Sequence, residues 1–194
     1  MTKRVFIIHG WHGYPNEGWF PWLKQELENK GFEVHVPEMP ETDVPVISKW
    51  INHLNKIVKN PDKETYFVGH SIGCQAILRY IEKLENGIKI GGAVLVAPWM
   101  TLDENTYKEE GEEGRKIAKP WIETSIDFSK ILNHTDRFTV IFSDNDPYVP
   151  LQNATIFEEE LFAQTFIEYN KGHFSGEDNI KELPIVLEEL LKMN

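Results

Sequence analysis

A serine lies between two glycines in the run Gly-His-Ser-Ile-Gly at positions 69 to 73. A serine hydroxyl on a sharp strand-to-helix turn can attack a carbonyl carbon when a nearby base removes its proton. Gly69 and Gly73 lack a Cβ, which lets the strand and helix backbones approach each other at such a turn. Ser71 is therefore the candidate nucleophile.

The residues on either side of this pentapeptide predict the two elements that the turn needs. Residues 65–68 form a β-branched and aromatic run that is typical of a strand. Residues 74–84 carry apolar side chains at helical spacing. These residues alone also fit an ordinary strand-to-helix turn in which the serine only caps the helix. The choice between a nucleophile and a capping serine therefore depends on catalytic partners elsewhere in the chain.

A candidate base and two candidate acids follow the last two predicted strands. His173 comes after residues 164–169, and Asp146 comes after residues 138–142. We prefer Asp146 to Asp144 as the acid, because Asp146 begins Asp-Pro-Tyr-Val-Pro and the proline stiffens the loop. In this arrangement the histidine takes the serine proton, and the aspartate orients the imidazole and stabilises its protonated form.

Backbone N–H groups beside the serine could stabilise an oxyanion. Ile72 begins the predicted helix, where the helix dipole adds partial positive charge, and Trp11 lies in a glycine-bearing loop after the first strand. Apolar and aromatic residues near these loops predict a substrate pocket lined by His12, Trp99, Met100, Tyr148 and Phe174; Trp121 is equally compatible with core packing. Such a pocket favours a small ester with an apolar acyl or aryl group.

The remaining histidines and the single cysteine do not indicate a second site. We expect His9 and His70 to brace loops, and we expect Cys74 to be buried rather than catalytic. No histidine pair has a metal-ligand spacing with carboxylates, so neither a metal nor another cofactor is expected.

Predicted strands and helices alternate along the chain. The strands are 4–9, 33–37, 65–68, 90–97, 138–142 and 164–169, and the helices are 19–30, 46–58, 74–84, 151–161 and 183–192. This alternation predicts an α/β fold, a three-layer α/β/α sandwich around a mostly parallel sheet of roughly six strands. Functional loops then lie at the carboxyl ends of the strands, where the candidate residues occur.

Residues 101–127 interrupt this alternation. The stretch from Asp103 to Gly114 is acidic and has weak hydrophobic periodicity. Two interpretations stay open, a solvated loop with a frayed helix or a short lid that passes over the sheet edge.

Composition bounds the remaining possibilities. We expect 194 residues with 41% hydrophobic side chains to form a single domain over 1–194. The net charge of −11 disfavours nucleic acid and anionic membranes as partners. No targeting segment or membrane span is visible, and one cysteine suits a reducing compartment. A cytoplasmic protein with a small-molecule substrate is expected, while the oligomeric state is not predicted.

Several separated motifs together resemble the α/β-hydrolase superfamily over nearly the whole chain. Within it, the chain is similar to the small serine hydrolases of the YdeN and retinoblastoma-binding protein 9 type. The resemblance rests on residues 5–10, 19–23, 69–74, 146–150 and 172–174. It implies a compact core without a large cap, and Ser71, Asp146 and His173 as the catalytic triad. The expected activity is that of a carboxylesterase working through an acyl-enzyme. The alternative is a hydrolase-fold binding or regulatory protein with weak or vestigial activity.

Overall fold

Six strands form one parallel sheet in the order β2-β1-β3-β4-β5-β6. The computed structural model describes residues 2–193, so Met1 and Asn194, the ends of the predicted domain, lie outside the described residues. The strands are β1 Arg4–Ile8, β2 Glu33–His35, β3 Thr65–His70, β4 Gly92–Val96, β5 Phe138–Ser143 and β6 Gln164–Glu168. Every neighbouring pair in this sheet is parallel, which confirms the predicted α/β class.

Helices cover both faces of the sheet. They are α1 Phe20–Asn29, α2 Ile47–Ile57, α3 Ile72–Glu82, α4 Glu104–Glu123, α5 Phe128–Leu132, α6 Asn153–Leu161 and α7 Pro184–Lys192. The chain moves from β1 to β2 in one direction along the sheet, and every later connection between consecutive strands moves in the opposite direction. Right-handed crossovers therefore place α1 on the face opposite α2, α3, α5 and α6. Helix α7 packs with α1, which completes the three layers.

The central strands anchor the site in the hydrophobic core. Strands β3, β4 and β5 are buried at every residue, as expected for a parallel sheet covered on both faces. Helix α3 is buried from Ile72 to Ile81. The turn between β3 and α3 is therefore held by core packing on both sides.

Most of the segment 101–127 is helical rather than a loop. It contains α4, which is interrupted at Gly111 by a non-helical backbone with φ 66° and ψ −164°. Its few buried residues are Thr106, Gly114, Ala118 and Trp121. Because α4 buries so few side chains, the hydrophobic periodicity of this segment is weak.

Within residues 2–193, no helix is both long enough and apolar enough to cross a bilayer.

Candidate active site

Ser71 occupies a strained turn between β3 and α3. Its backbone has φ 52° and ψ −123°, a conformation that non-glycine residues rarely adopt. A Cβ on Gly73 would lie 2.4 Å from the carbonyl oxygen of Ile8, and one on Gly69 would lie 2.9 Å from the Cα of Cys74. Both glycines are therefore needed for the close approach of strand and helix that pushes Ser71 outward.

His173 and Asp146 form a hydrogen-bonded pair at the carboxyl end of the sheet. His173 Nδ1 lies 2.8 Å from Asp146 Oδ2, and the aspartate side chain is only 2% exposed. The other carboxylate oxygen accepts hydrogen bonds from the backbone N–H groups of Tyr148 and Val149, at 2.9 Å and 3.0 Å. Because an ionised carboxylate only accepts, the arrangement places a hydrogen on Nδ1 and leaves Nε2 free as a proton acceptor.

Asp144, the alternative acid, is engaged elsewhere. Its Oδ1 accepts a hydrogen bond of 2.8 Å from the backbone N–H of Asn170. This contact ties the loop after β5 to the loop after β6. The structure thus brings Asp146, rather than Asp144, to His173.

The hydroxyl of Ser71 accepts a hydrogen bond from the indole of Trp99. The distance from Trp99 Nε1 to Ser71 Oγ is 3.3 Å, and Ser71 is 7% exposed. Within residues 2–193, no hydrogen bond joins Ser71 Oγ to His173. Catalytic hydrogen bonds are often loose without substrate and tighten when it binds, so this spacing is compatible with a role for His173 as base.

Two buried side chains hold the backbone around His173. His70 Nε2 donates to the carbonyl of His173 at 2.7 Å, and Trp19 Nε1 donates to the carbonyl of Phe174 at 3.0 Å. Burial, with the nearby charge of His173 as a second cause, lowers the pKa of His70 to about 3. His70 braces a loop, as expected. The contact of Trp19 with Phe174 was not predicted, because a partner 155 positions away leaves no local signal in the sequence.

The loop after β1 lies directly against the serine. A Cβ on Gly10 would be 3.3 Å from the Cβ of Ser71. The N–H of Ile72, the first residue of α3, has no acceptor inside that helix. The N–H of Trp11 has no backbone acceptor among residues 2–193. Neither N–H group has a hydrogen-bond partner among residues 2–193, and the two groups belong to the residues that follow Gly10 and Ser71.

The first half of α4, residues 104–110, is tied to this edge of the sheet, and we call it the α4 cover. Tyr148 donates its hydroxyl hydrogen to Glu109 at 2.6 Å, and His12 Nε2 lies 3.3 Å from Glu110. The Tyr148 ring in turn meets His173 edge to face, with ring centroids 5.2 Å apart. The α4 cover is thus linked to residues on both sides of Ser71.

His12 also contacts Asp43, 3.0 Å from its Nδ1. Partial burial disfavours its charged form, but the hydrogen bonds to Asp43 and Glu110 outweigh burial and raise the pKa of His12. When it is protonated, His12 bridges two carboxylates at the edge of the α4 cover.

The predicted pocket residues fall into different environments. Trp99 and Phe174 are each 1% exposed, whereas Met100 and Tyr148 are half-buried and His12 is exposed. Trp121 belongs to the core, where it packs edge to face with Trp50 and donates to the carbonyl of Pro45. Trp99, Tyr148 and His12 are thus joined by hydrogen bonds or ring contacts to the candidate site or its cover.

The other potentially reactive groups, His9 and Cys74, are buried and hydrogen-bonded. Burial raises the pKa of the Cys74 thiol, whose Sγ donates to the carbonyl of Val96. His9 accepts a hydrogen bond of 3.1 Å from the backbone N–H of Met39. Among residues 2–193, no group of three or more histidine, cysteine or acidic side chains is arranged to hold a metal ion.

Comparison with known proteins places the chain among related sequences and structures. A family model described as serine hydrolase matches residues 5–192. YdeN of Bacillus subtilis is 31% identical over 191 residues, which cover 98% of this chain and 95% of YdeN. The serine hydrolase RBBP9 of Rattus norvegicus is 24% identical over 193 residues, covering 98% of this chain and 96% of RBBP9.

Solved structures show the same architecture. The crystal structure of the ydeN gene product of B. subtilis has a TM-score of 0.88 and 30% identity, and covers 99% of this chain and 98% of that chain. Est1E from Butyrivibrio proteoclasticus has a TM-score of 0.70 and 16% identity, covering 99% and 88%. The second likeness shows the fold alone.

Proposed function

The chain belongs to the serine hydrolase family, and we propose that it is a carboxylesterase that cleaves small esters through an acyl-enzyme on Ser71. The observation that carries this proposal is the pairing of His173 with Asp146 across 2.8 Å, on a loop that His70, the neighbour of Ser71, holds in place. A base oriented by a buried carboxylate beside a serine on a strained turn is the arrangement that acyl transfer requires.

Acylation uses these groups in sequence. His173 Nε2 removes the hydroxyl proton as Ser71 Oγ forms a bond to the ester carbonyl carbon. The carbonyl oxygen becomes an oxyanion, which the N–H groups of Trp11 and Ile72 stabilise. His173 then gives the proton to the alcohol oxygen, the carbon–oxygen bond breaks, and the alcohol leaves.

Deacylation repeats the same steps with water. His173 removes a proton from water, whose oxygen attacks the acyl carbon. The bond to Ser71 Oγ breaks, and the proton held by His173 returns to that oxygen. The carboxylic acid leaves and the hydroxyl is regenerated.

The surroundings of the site favour small, uncharged substrates. The α4 cover is hydrogen-bonded to Tyr148 and His12, and we propose that it limits the size of the substrates that reach Ser71. Glu109, Glu110 and Asp43 add negative charge at this edge and disfavour anionic substrates. We therefore propose short-chain esters with apolar acyl or aryl groups as substrates.

A fluorophosphonate probe tests the nucleophile directly. The purified protein is treated with the probe, and the adduct is mapped by mass spectrometry. We expect one adduct, on Ser71, which is absent from Ser71→Ala and retained in the control Ser125→Ala, a change at an exposed serine. Hydrolysis of p-nitrophenyl esters of increasing chain length then measures acyl preference.

The opposite result supports the alternative function. If a reference hydrolase is labelled under the same conditions but Ser71 is not, the esterase proposal fails. A hydrolase-fold binding or regulatory protein would then be the better description.

A further inference from the structure

We propose that Trp99 is a catalytic residue whose indole N–H holds Ser71 Oγ and stabilises the negative charge that develops on that atom. The proposal rests on the proposed esterase function, because it assigns a role within the same chemistry. In this role Trp99 acts through its indole N–H, and not through apolar contact with the substrate.

The hydrogen-bonding capacity of the two groups defines their roles. Trp99 Nε1 lies 3.3 Å from Ser71 Oγ, and an indole N–H can only donate. The hydroxyl therefore accepts this bond and must donate its own hydrogen elsewhere. Under the proposed function the acceptor of that hydrogen is His173 Nε2, so the indole bond leaves the hydroxyl proton available to the base.

The position of Trp99 is fixed by a chain of buried polar groups on α3. The Trp99 carbonyl accepts from Gln75 Nε2 at 3.0 Å, and Gln75 Oε1 accepts from Arg79 Nη2 at 3.0 Å. Gln75 is fully buried and Arg79 is 2% exposed. The helix that begins beside Ser71 thus also locates the residue that reaches its hydroxyl.

The effect on rate comes from the change in charge on Oγ. As the proton moves to His173, Oγ becomes a stronger acceptor, and hydrogen bonds to charged acceptors are about twice as strong as neutral ones. The Trp99 bond therefore stabilises the transition state more than the resting enzyme, which raises kcat. The indole keeps its own hydrogen throughout, and the same argument applies when Oγ leaves during deacylation.

The resting distance agrees with this role. A separation of 3.3 Å is slightly long for an N–H···O bond between neutral groups. It can shorten when charge develops on Oγ, as catalytic hydrogen bonds commonly do.

The test replaces the N–H without changing the shape of the side chain. Incorporation of β-(3-benzothienyl)alanine at position 99 exchanges the N–H for sulfur and keeps the bicyclic ring. The same replacement at Trp50 is the matched control, since Trp50 is fully buried and donates to the carbonyl of Pro40 instead. Trp99→Phe is a second variant. The measurements are the rate of fluorophosphonate labelling of Ser71, and kcat and KM for a p-nitrophenyl ester.

We expect the sulfur analogue at position 99 to lower the labelling rate and kcat by about tenfold, the factor that corresponds to one hydrogen bond of roughly 1.4 kcal/mol. KM should change by less than about twofold, as expected for an interaction made in the transition state. The position 50 analogue should react at the wild-type rate.

The contrary outcomes are distinct. A labelling rate at position 99 equal to that of the wild type overturns the role of Trp99 while leaving the esterase proposal intact. A faster rate also overturns it, since Trp99 would then restrain Ser71. An unlabelled wild-type protein removes the proposed function itself. If the analogue does not fold, as shown by circular dichroism, the Trp99→Phe variant decides by the same criteria.

Discussion

His70 Nε2 donates a 2.7 Å hydrogen bond to the backbone carbonyl of His173, so the residue before the candidate nucleophile fixes the loop of the candidate base. The two rings also lie side by side, with centroids 4.9 Å apart. A carbonyl can only accept, so the His70 hydrogen is on Nε2 and its buried Nδ1 carries none. The loop that carries His173 is therefore held by a neutral, buried imidazole.

Replacing His70 with phenylalanine should reduce the acid sensitivity of folding. The pKa of His70 is about 3 in the folded protein and about 6.5 in an unfolded chain, so only the unfolded state gains a proton between those values. Stability from this group is therefore present above pH 6.5 and is lost as the pH falls towards 3. In urea unfolding, the free energy of unfolding falls between pH 7 and pH 5. This fall should be about 2 kcal/mol smaller in His70→Phe than in wild type. The control His35→Gln, at a half-buried site in β2, should show the same pH dependence as wild type. If His70→Phe lost as much stability as wild type between pH 7 and pH 5, this account would be contradicted.

The two loop aspartates should differ sharply in their effect on catalysis. Asp146→Asn removes the carboxylate that orients His173 and should lower kcat by about 10³- to 10⁴-fold. Asp144→Asn changes only the contact with Asn170 and should leave kcat within a few-fold of wild type. Steady-state hydrolysis of a p-nitrophenyl ester measures both variants. A larger loss in Asp144→Asn would show that the acid is wrongly assigned.

Gly73→Ala should destabilise the protein by about 3 kcal/mol, because the new Cβ would overlap the carbonyl oxygens of Ile8 and His9. Backbone atoms of a central strand cannot move aside as a flexible side chain can. Gly176→Ala is the control, since a Cβ there would meet its nearest atom, Glu17 Cγ, at 3.5 Å. Thermal and urea unfolding compare the two. Equal stability of both variants would mean that the close approach at Gly73 is not required.

Attachment of the α4 cover should depend on pH through His12. Its pKa is raised, so the charged contact with Glu110 is present below about pH 6.5 and is lost as the pH rises through the folded value. Amide hydrogen exchange in residues 104–110, corrected for intrinsic rates, should therefore accelerate as the pH rises. His12→Gln should abolish this extra dependence. Tyr148→Phe, which removes the bond to Glu109, should instead accelerate exchange at every pH. If hydrogen exchange in His12→Gln depended on pH as it does in wild type, His12 would be excluded as the origin of that dependence.

Arg79→Ala should lower the free energy of unfolding by about 3 kcal/mol. The guanidinium is buried and donates to the carbonyls of Trp121 and Thr124, at 2.9 Å and 2.7 Å, so its removal leaves buried acceptors unpaired. Lys83→Ala, at an exposed lysine just after α3, should change stability by less than about 0.5 kcal/mol. Chemical denaturation measures the free energy of unfolding of both variants. An equally small decrease in Arg79→Ala and Lys83→Ala would show that water replaces the guanidinium.

Local patterns determined the fold class and most of its elements. Apolar runs and helical spacing are properties of neighbouring residues, so they predicted the order of strands and helices and the turn at Ser71. Helices α4 and α5 were not predicted. Helix α4 buries few residues, so its amphipathic pattern is weak, and α5 has only 5 residues, too few to show a helical period. The ends of elements also shifted, since β3 continues to His70 and α3 begins at Ile72.

The sequence by itself proposed Ser71, His173 and Asp146, which was preferred to Asp144, because each candidate follows a predicted strand. Only the tertiary structure decided that Asp146 contacts His173, that His70 and Trp19 hold the loop of the base, and that Trp99 reaches the serine hydroxyl. These partners lie 27 to 155 positions apart in the chain. Contacts of this kind depend on how the strands order themselves in the sheet and how the loops fold back at their carboxyl ends, and neither leaves a periodic signal in the sequence.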